Sequence, residues 1–261
     1  MSSSSKPIIY LFNGGWFRAS VWSGVQAALK AKGYEMMVPE LLCSATDGSQ
    51  AGKSSIDEVE NCRRLVEPLM DQGHEFIVAG WSFGSLPAVM VTKGWTVAER
   101  QKAGKKGGFK AIVHIAGLAV LEPNVDFLGA WAGGKGFSGY VIADGVYIPN
   151  GLLRLDENLA TEAFFNDQSE EVKKSLTPTL KSLSFSQATL ETAIPVTLND
   201  LTIPSTYVVL ENDEGFATVV QDMIAQSHPA TKVVRINSGH CVFLSHEAEI
   251  VEVFETVAGQ S

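Results

Sequence analysis

Gly80, Ser82 and Gly84 spell G-x-S-x-G at the centre of the stretch FIVAGWSFGSLPAVMV, residues 76–91. A serine in that pattern can be a nucleophile raised on a sharp strand-to-helix turn, or an ordinary turn serine. Chance alone produces the pattern in roughly one sequence in five of this glycine and serine content, so its setting has to decide. The run Glu75 to Ala79 reads as a buried strand leading directly into the motif, and LPAVMV as the helix that follows it. Pro87 falls near that helix's first turn, where a missing N–H costs least. The glycines then have a steric purpose. A nucleophile on a strained turn leaves little room for side chains two residues before and after it, where strand and helix crowd together. The first turn of the helix also aims N–H groups and a partial positive charge at the serine.

A serine hydroxyl is a weak nucleophile unless a base takes its proton. Of the five histidines, His240 is the best placed, on the loop NSGHCVF after the last strand-like run. His246, at the start of the final helix, is the second choice. His74 precedes a strand, His114 lies inside one and His228 ends a helix. The base must in turn be held in one tautomer and orientation by an acid. Asp213, in the loop ENDEG after STYVVL, is the candidate; Glu211, Glu214 and Asp222 compete, but Glu211 reads as strand end and Asp222 as helix. Two backbone N–H groups should face the developing oxyanion, one from Phe83 and one from Gly15 or Trp16 in FNGGWF. The order Ser82, Asp213, His240 is that of α/β-hydrolases and differs from the chymotrypsin and subtilisin orders.

These residues need a frame that gathers distant loops. PIIYLF (7–12), YEMMVPELL, Glu75–Ala79, Phe109–Ala116, Ser205–Leu210 and Lys232–Ile236 read as strands. Helical patterns lie between them at Ser20–Lys32, Ser55–Met70 (opening on a capping Ser55 with Asp57 and Glu58), Gly215–Ser227 and Ser245–Val257. The alternation predicts a doubly wound, mostly parallel sheet with the chemical groups on loops at the strands' C-terminal ends. Residues 120–201 break it. They are rich in Gly and aromatics at first, then form two helices near Glu157–Asn166 and Ser169–Leu183. The expected organisation is therefore a core of 1–119 and 202–261 with an inserted, mainly helical cap over the site at 120–201. Asn13, Trp16, Trp81, Trp131 and Cys241 are read as pocket residues, and Trp131, Phe137, Tyr140 and Tyr147 suggest an apolar or aromatic acyl substrate.

Composition narrows the partners. A chain of 261 residues with 45% hydrophobic content can bury one large core. Its net charge of −9 argues against nucleic acid, which needs a basic field. The cluster Arg100, Lys102, Lys105, Lys106 and Lys110 is read as a solvated loop. Cys43, Cys62 and Cys241 form no C-x-x-C pair and no metal spacing, so no metal is expected, and they suit a reducing, intracellular setting. The polar opening MSSSSK and the lack of a long apolar run point to a cytoplasmic protein without a membrane anchor. AGKSS (51–55) imitates a phosphate-binding loop, but its first glycine is misplaced and no strand enters it. A homodimer is compatible with the sequence.

The chain resembles the salicylate-esterase-like α/β-hydrolases of fungi and bacteria, relatives of plant methylesterases and hydroxynitrile lyases. KPIIYLFNGGW, GYEMMVPEL, FIVAGWSFGSLPA, AERQKAGKKGG, FFND, IPSTYVVLENDEGF with Gln221, and SGHCVFLS carry the resemblance, from Lys6 to Val257. It implies the triad Ser82, Asp213 and His240, oxyanion donors Gly15 and Phe83, and no cofactor. Five positions depart from the family's usual residues: Asn13 (histidine or proline), Trp81 (histidine), Ser85 (glycine), and Cys241 and Val242 (Ser-Pro). The threonine and lysine that serve the lyases read here as Gly14 and Cys241, which disfavours cyanohydrin cleavage. The reading that results is hydrolysis of a carboxylic ester, lactone or related acyl compound through an acyl-enzyme, in secondary metabolism. Two alternatives remain: carbon–carbon cleavage, acyl transfer or cyclisation by the same triad, and a silent ligand-binding protein on a hydrolase fold.

Overall fold

A computed structural model describes residues 6–126, 146–148, 151–155 and 157–260. The apolar runs form a six-stranded sheet in which every pairing is parallel. Its strands are β1 (Ile8–Phe12), β2 (Met36–Met37), β4 (Glu75–Trp81), β5 (Gly108–Ile115), β9 (Ser205–Leu210) and β10 (Lys232–Ile236), in the order β10-β9-β5-β4-β1-β2. β1 and β9 are buried along their whole length, as near-continuous Ile, Val, Leu and aromatic runs require when both faces are covered. The run YEMMVPELL yields only Met36–Met37, beside Ile9 and Tyr10; Pro39 has no N–H with which to extend that edge strand.

The order of strands reverses direction at β1. The chain moves from β1 outward to β2, then returns on the other side to β4. Phe12 therefore lies in register with Gly80, so the loops leaving β1 and β4 start side by side. Crevices at such switch points are where open α/β sheets bind ligands.

Helix α1 (Ser23–Ala31) packs against the C-terminal helix Glu247–Gly259, and α2 (Ser55–Asp71) against α3 (Ser85–Thr92). The cap of α2 is Ser54 rather than Ser55: its hydroxyl accepts from the Ile56 N–H, while Asp57 accepts from the Ser54 N–H at 2.9 Å. Ser55 is instead fully buried. α3 buries every side chain, consistent with LPAVMV having no polar face.

The basic cluster is not a uniform solvated loop. Arg100 sits in α4 (Val97–Lys102) and is buried, with Nη2 donating to Asp71 at 2.6 Å, Nε donating to the Lys106 carbonyl and its guanidinium over the Trp95 ring. A planar guanidinium can satisfy several acceptors and stack at once, and so can be buried where the neighbouring lysines are not.

Between β5 and β9 the helices Glu157–Phe164 and Glu170–Ser182 form near their expected places. The segment is not only helical. β6 (Val146–Ile148), β7 (Leu152–Arg154) and β8 (Ser184–Ser186) make an antiparallel sheet whose fourth strand, β3 (Ser44–Ala45), comes from the amino-terminal part of the chain. Strands of two or three residues carry no readable alternation, so only the fold reveals them.

Candidate active site

Ser82 directly follows β4 and opens a single 3-10 turn, Ser82–Gly84, that leads into α3. Its φ is +53°, a left-handed conformation that costs a non-glycine residue on the order of 1 kcal/mol or more. The surroundings enforce it. A Cβ on Gly80 would strike the backbone of Ser85, and one on Gly84 would strike the carbonyl oxygens of Phe12 and Asn13. Both glycines are thus required by close backbone approach rather than by their own dihedral angles. The Ser82 carbonyl accepts from the Leu118 N–H at 3.0 Å, which fixes the turn from the β5 side.

Asp213 and His240 leave the C-terminal ends of β9 and β10, and their loops pair with each other through the Asn212 N–H and the Ser238 carbonyl at 3.0 Å. His240 Nδ1 lies 2.8 Å from Asp213 Oδ2, with both side chains buried. Every other partner of that carboxylate is a donor. Oδ1 accepts from the Gly215 and Phe216 N–H groups, each at 2.8 Å, and Oδ2 accepts from Gln221 Nε2 at 2.9 Å. Nδ1 must therefore carry a proton, which leaves the Nε2 lone pair free to act as a base. The helix expected from Gly215 begins only at Thr218.

The other candidates are engaged elsewhere. Glu211 and Asp222 both bind Arg235, at 2.7 and 2.6 Å, and Glu214 is exposed. His228 contacts Thr231. His246 meets Ser245 and borders a groove of about 450 Å³ along β10 and the C-terminal helix, which none of Ser82, Asp213 or His240 lines. His114 is buried beside Ser85 and stacked on Tyr207, and burial pushes its pKa down to about 3.

Ser82 and His240 line one narrow cavity, shared with Gly14, Gly15, Trp16 and Phe83. Among the described residues no acceptor takes the Gly15 or Phe83 N–H. Close approach again explains the glycines of this loop. A Cβ on Gly14 would lie 2.7 Å from the Trp81 ring, and one on Gly15 3.2 Å from Phe185. The rest of the wall is apolar: Phe17, Trp81, Leu118, Phe164, Phe185 and Leu190. Trp16, at φ +63°, donates from Nε1 to the Leu153 carbonyl and so ties the loop after β1 to β7. The His240 imidazole lies between two rings, Trp81 at 5.1 Å and Phe164 at 5.0 Å, and Trp81 Nε1 donates to the His240 carbonyl at 3.0 Å.

The match to known proteins now adds to this geometry. Residues 9–253 match the model of the alpha/beta hydrolase family. The chain belongs to that family. A "probable hydrolase" of a Phoma species is 23% identical over 98% of this chain and 99% of its own length. Among solved structures, a pyrethroid hydrolase from Sphingobium faniae superposes with a TM-score of 0.74 at 17% identity, over 97% of this chain and 98% of that one. Polyneuridine aldehyde esterase does so at 0.75 and 15%, over 97% and 99%. An Arabidopsis methylesterase gives 0.69 and 16%, over 96% and 98%. These similarities show a shared alpha/beta hydrolase fold with esterase-type neighbours.

For this alpha/beta hydrolase, two expected pocket residues are placed otherwise. Asn13 does not line the cavity: its amide donates to the Phe17 carbonyl and accepts from Trp22 Nε1, bracing the loop after β1 from behind. Cys241 is wholly buried, and burial together with the nearby Asp213 and Asp167 carboxylates pushes its thiol pKa well up. Trp16 and Trp81 do line the cavity. Trp131, Phe137 and Tyr140 lie outside the described residues, and Tyr147 is described only as strand backbone. Residue patterns gave no role to Phe185 or Leu190, because a wall assembled from separate short segments leaves no spacing in the sequence. Gln221 entered only through the resemblance; its position eight residues after Asp213 is one helical turn into Thr218–Gln226, a signal that a search for acid-supporting side chains could have used.

Proposed function

We propose that this alpha/beta hydrolase cleaves a carboxylic ester, lactone or related acyl compound through an acyl-enzyme on Ser82. The observation that carries the reading is the Nδ1–Asp213 hydrogen bond of His240, in a site where His240 and the strained Ser82 share one cavity. In this mechanism His240 Nε2 takes the Ser82 proton as Oγ attacks the acyl carbon, and Asp213 stabilises the resulting imidazolium. The Gly15 and Phe83 N–H groups receive the oxyanion. The imidazolium then gives its proton to the leaving alcohol. Water, activated by the same His240, adds to the acyl carbon, releases the acid and returns the proton to Ser82. Ester and water supply every atom, so no cofactor or metal enters.

The substrate follows from the wall. Among the described residues it offers aromatic and aliphatic surface and no charged side chain apart from the reacting groups, which favours an uncharged, apolar acyl group. The segment 120–201 serves as the cap, since Phe164, Phe185 and Leu190 come from it. The esterase and hydrolase names of the structural neighbours agree with this chemistry. The secondary-metabolism setting and cytoplasmic location belong to the same proposal.

The test is turnover of short-chain aryl esters by the protein and by Ser82→Ala, with mass spectrometry after a serine-directed phosphonate. Turnover lost in the variant, and an adduct on Ser82, are expected. Neither turnover nor adduct would refute the reading. An adduct without turnover would redirect it to acyl transfer or carbon–carbon cleavage by the same residues.

A further inference from the structure

Two loops from different strands must hold His240 and Asp213 in register, and a third segment grips both. Phe164 ends the helix Glu157–Phe164 in the insertion between β5 and β9, and Phe165, Asn166 and Asp167 form the turn that follows it. Asp167 Oδ2 accepts from the Gly239 N–H at 2.8 Å and from Ser245 Oγ at 2.7 Å. One carboxylate oxygen thus ties together the residues on either side of the stretch that carries His240. Asn166 Nδ2 donates at 2.6 Å to the carbonyl of Asn212, the residue before Asp213. Phe164 lies against the imidazole face, tilted by 28°, and against Gly215, where a Cβ would stand 2.7 Å from its ring. Gly239 is a glycine for a related reason: a Cβ there would run into Asn166 and Asp167 oxygens.

We propose that Asp167, with Asn166 and Phe164, is a positioning group for the base: the insertion not only covers the site but sets the angle and depth of His240 against Ser82. The proposal rests on the functional reading of Ser82, Asp213 and His240 above. Two features separate it from simple glue between insertion and core. Asp167 is an exposed side chain, so the hydrophobic core does not depend on it. Its two longest-range bonds converge on the His240 loop, and charge-assisted hydrogen bonds of this kind are stronger and more directional than neutral ones. A base displaced by a fraction of an ångström loses alignment with the hydroxyl it must deprotonate, and misplacements of about 1 Å can cost on the order of 100-fold.

The experiment compares Asp167→Ala, Asp167→Asn and the unaltered full-length protein in aryl-ester kinetics. Alongside, the downfield proton signal of the His240 Nδ1–Asp213 bond is recorded without substrate. Asp167→Ala should lower kcat on the order of 10-fold or more, with KM changed by less than about 3-fold, because alignment matters more than substrate binding. The same variant should weaken or broaden the proton signal. Asp167→Asn keeps an acceptor oxygen and should recover most of both. Wild-type kcat and an unchanged signal in Asp167→Ala would overturn the proposal, as would a loss that Asp167→Asn shares in full. If Asp167→Ala does not fold, Ser245→Ala decides: it removes one of the two bonds, and wild-type kcat and signal there would overturn the proposal. The proton signal needs no turnover. An unaltered protein without esterase activity would therefore sink the functional reading while still reporting on Asp167.

Discussion

Replacing Asp213 by asparagine tests the catalytic geometry most directly, because the structure dictates how the amide must lie. On the Oδ1 side two backbone N–H groups, from Gly215 and Phe216, require an acceptor, so the amide oxygen takes that side. The NH₂ then faces Gln221 Nε2 and His240 Nδ1. Gln221 cannot flip to offer its oxygen, because Oε1 already accepts from the Leu210 N–H and Nε2 donates to the Phe216 carbonyl. Only the imidazole can respond. Nδ1 becomes the acceptor, the proton moves to Nε2, and Nε2 can no longer take the Ser82 proton. A wrong tautomer of this kind lowers kcat by about 10⁴, or about 5.4 kcal/mol of barrier. The Gln221 N–H left without its acceptor costs about 1–3 kcal/mol of stability, a fall in Tm of roughly 2–12 °C for a chain of this size. The assay is kcat/KM on an aryl ester at neutral pH, with ¹⁵N spectroscopy of the imidazole to identify the tautomer. A loss of less than 10-fold, or persistence of the Nδ1–H tautomer in the variant, would refute the argument.

Gly84→Ala should abolish soluble expression or cost several kcal/mol by chemical denaturation, because its Cβ would meet the Phe12 and Asn13 carbonyls, which are rigid backbone; wild-type stability would contradict the crowding described for the turn. Trp81→Phe keeps a ring beside His240 but removes the bond to its carbonyl, so kcat should fall about 3- to 10-fold with the fold retained, as kinetics and thermal melts would show. His114 resists protonation in the fold, with a pKa near 3 against an unfolded value near 6.5, so the unfolded chain binds the extra proton first as pH falls. Its contribution to stability is therefore complete above about pH 6.5 and declines toward pH 3, at up to about 1.4 kcal/mol per pH unit. Urea titrations at pH 7 and pH 5 should show His114→Phe losing less stability between the two than the unaltered protein, and equal losses would refute the assignment.

The alternation of apolar strands with amphipathic helices was enough to specify the parallel sheet, because burying both faces of a sheet forces a pattern that any single segment displays. G-x-S-x-G and the polar residues just after STYVVL and KVVRI could be picked out in the same way, since each lies one loop beyond a readable strand. Three-dimensional proximity could not. That Phe12 stands beside Gly80, and that Arg100 is buried with its guanidinium on Asp71, depend on contacts between residues far apart in the chain. The short strands that join Ser44–Ala45 to Ser184–Ser186, and the hold of Phe164, Asn166 and Asp167 on the loops of His240 and Asp213, belong to the same class. Local sequence determined which residue types were available at the strand ends. Only tertiary packing decided which of them meet, because such contacts leave no periodic trace in a single chain.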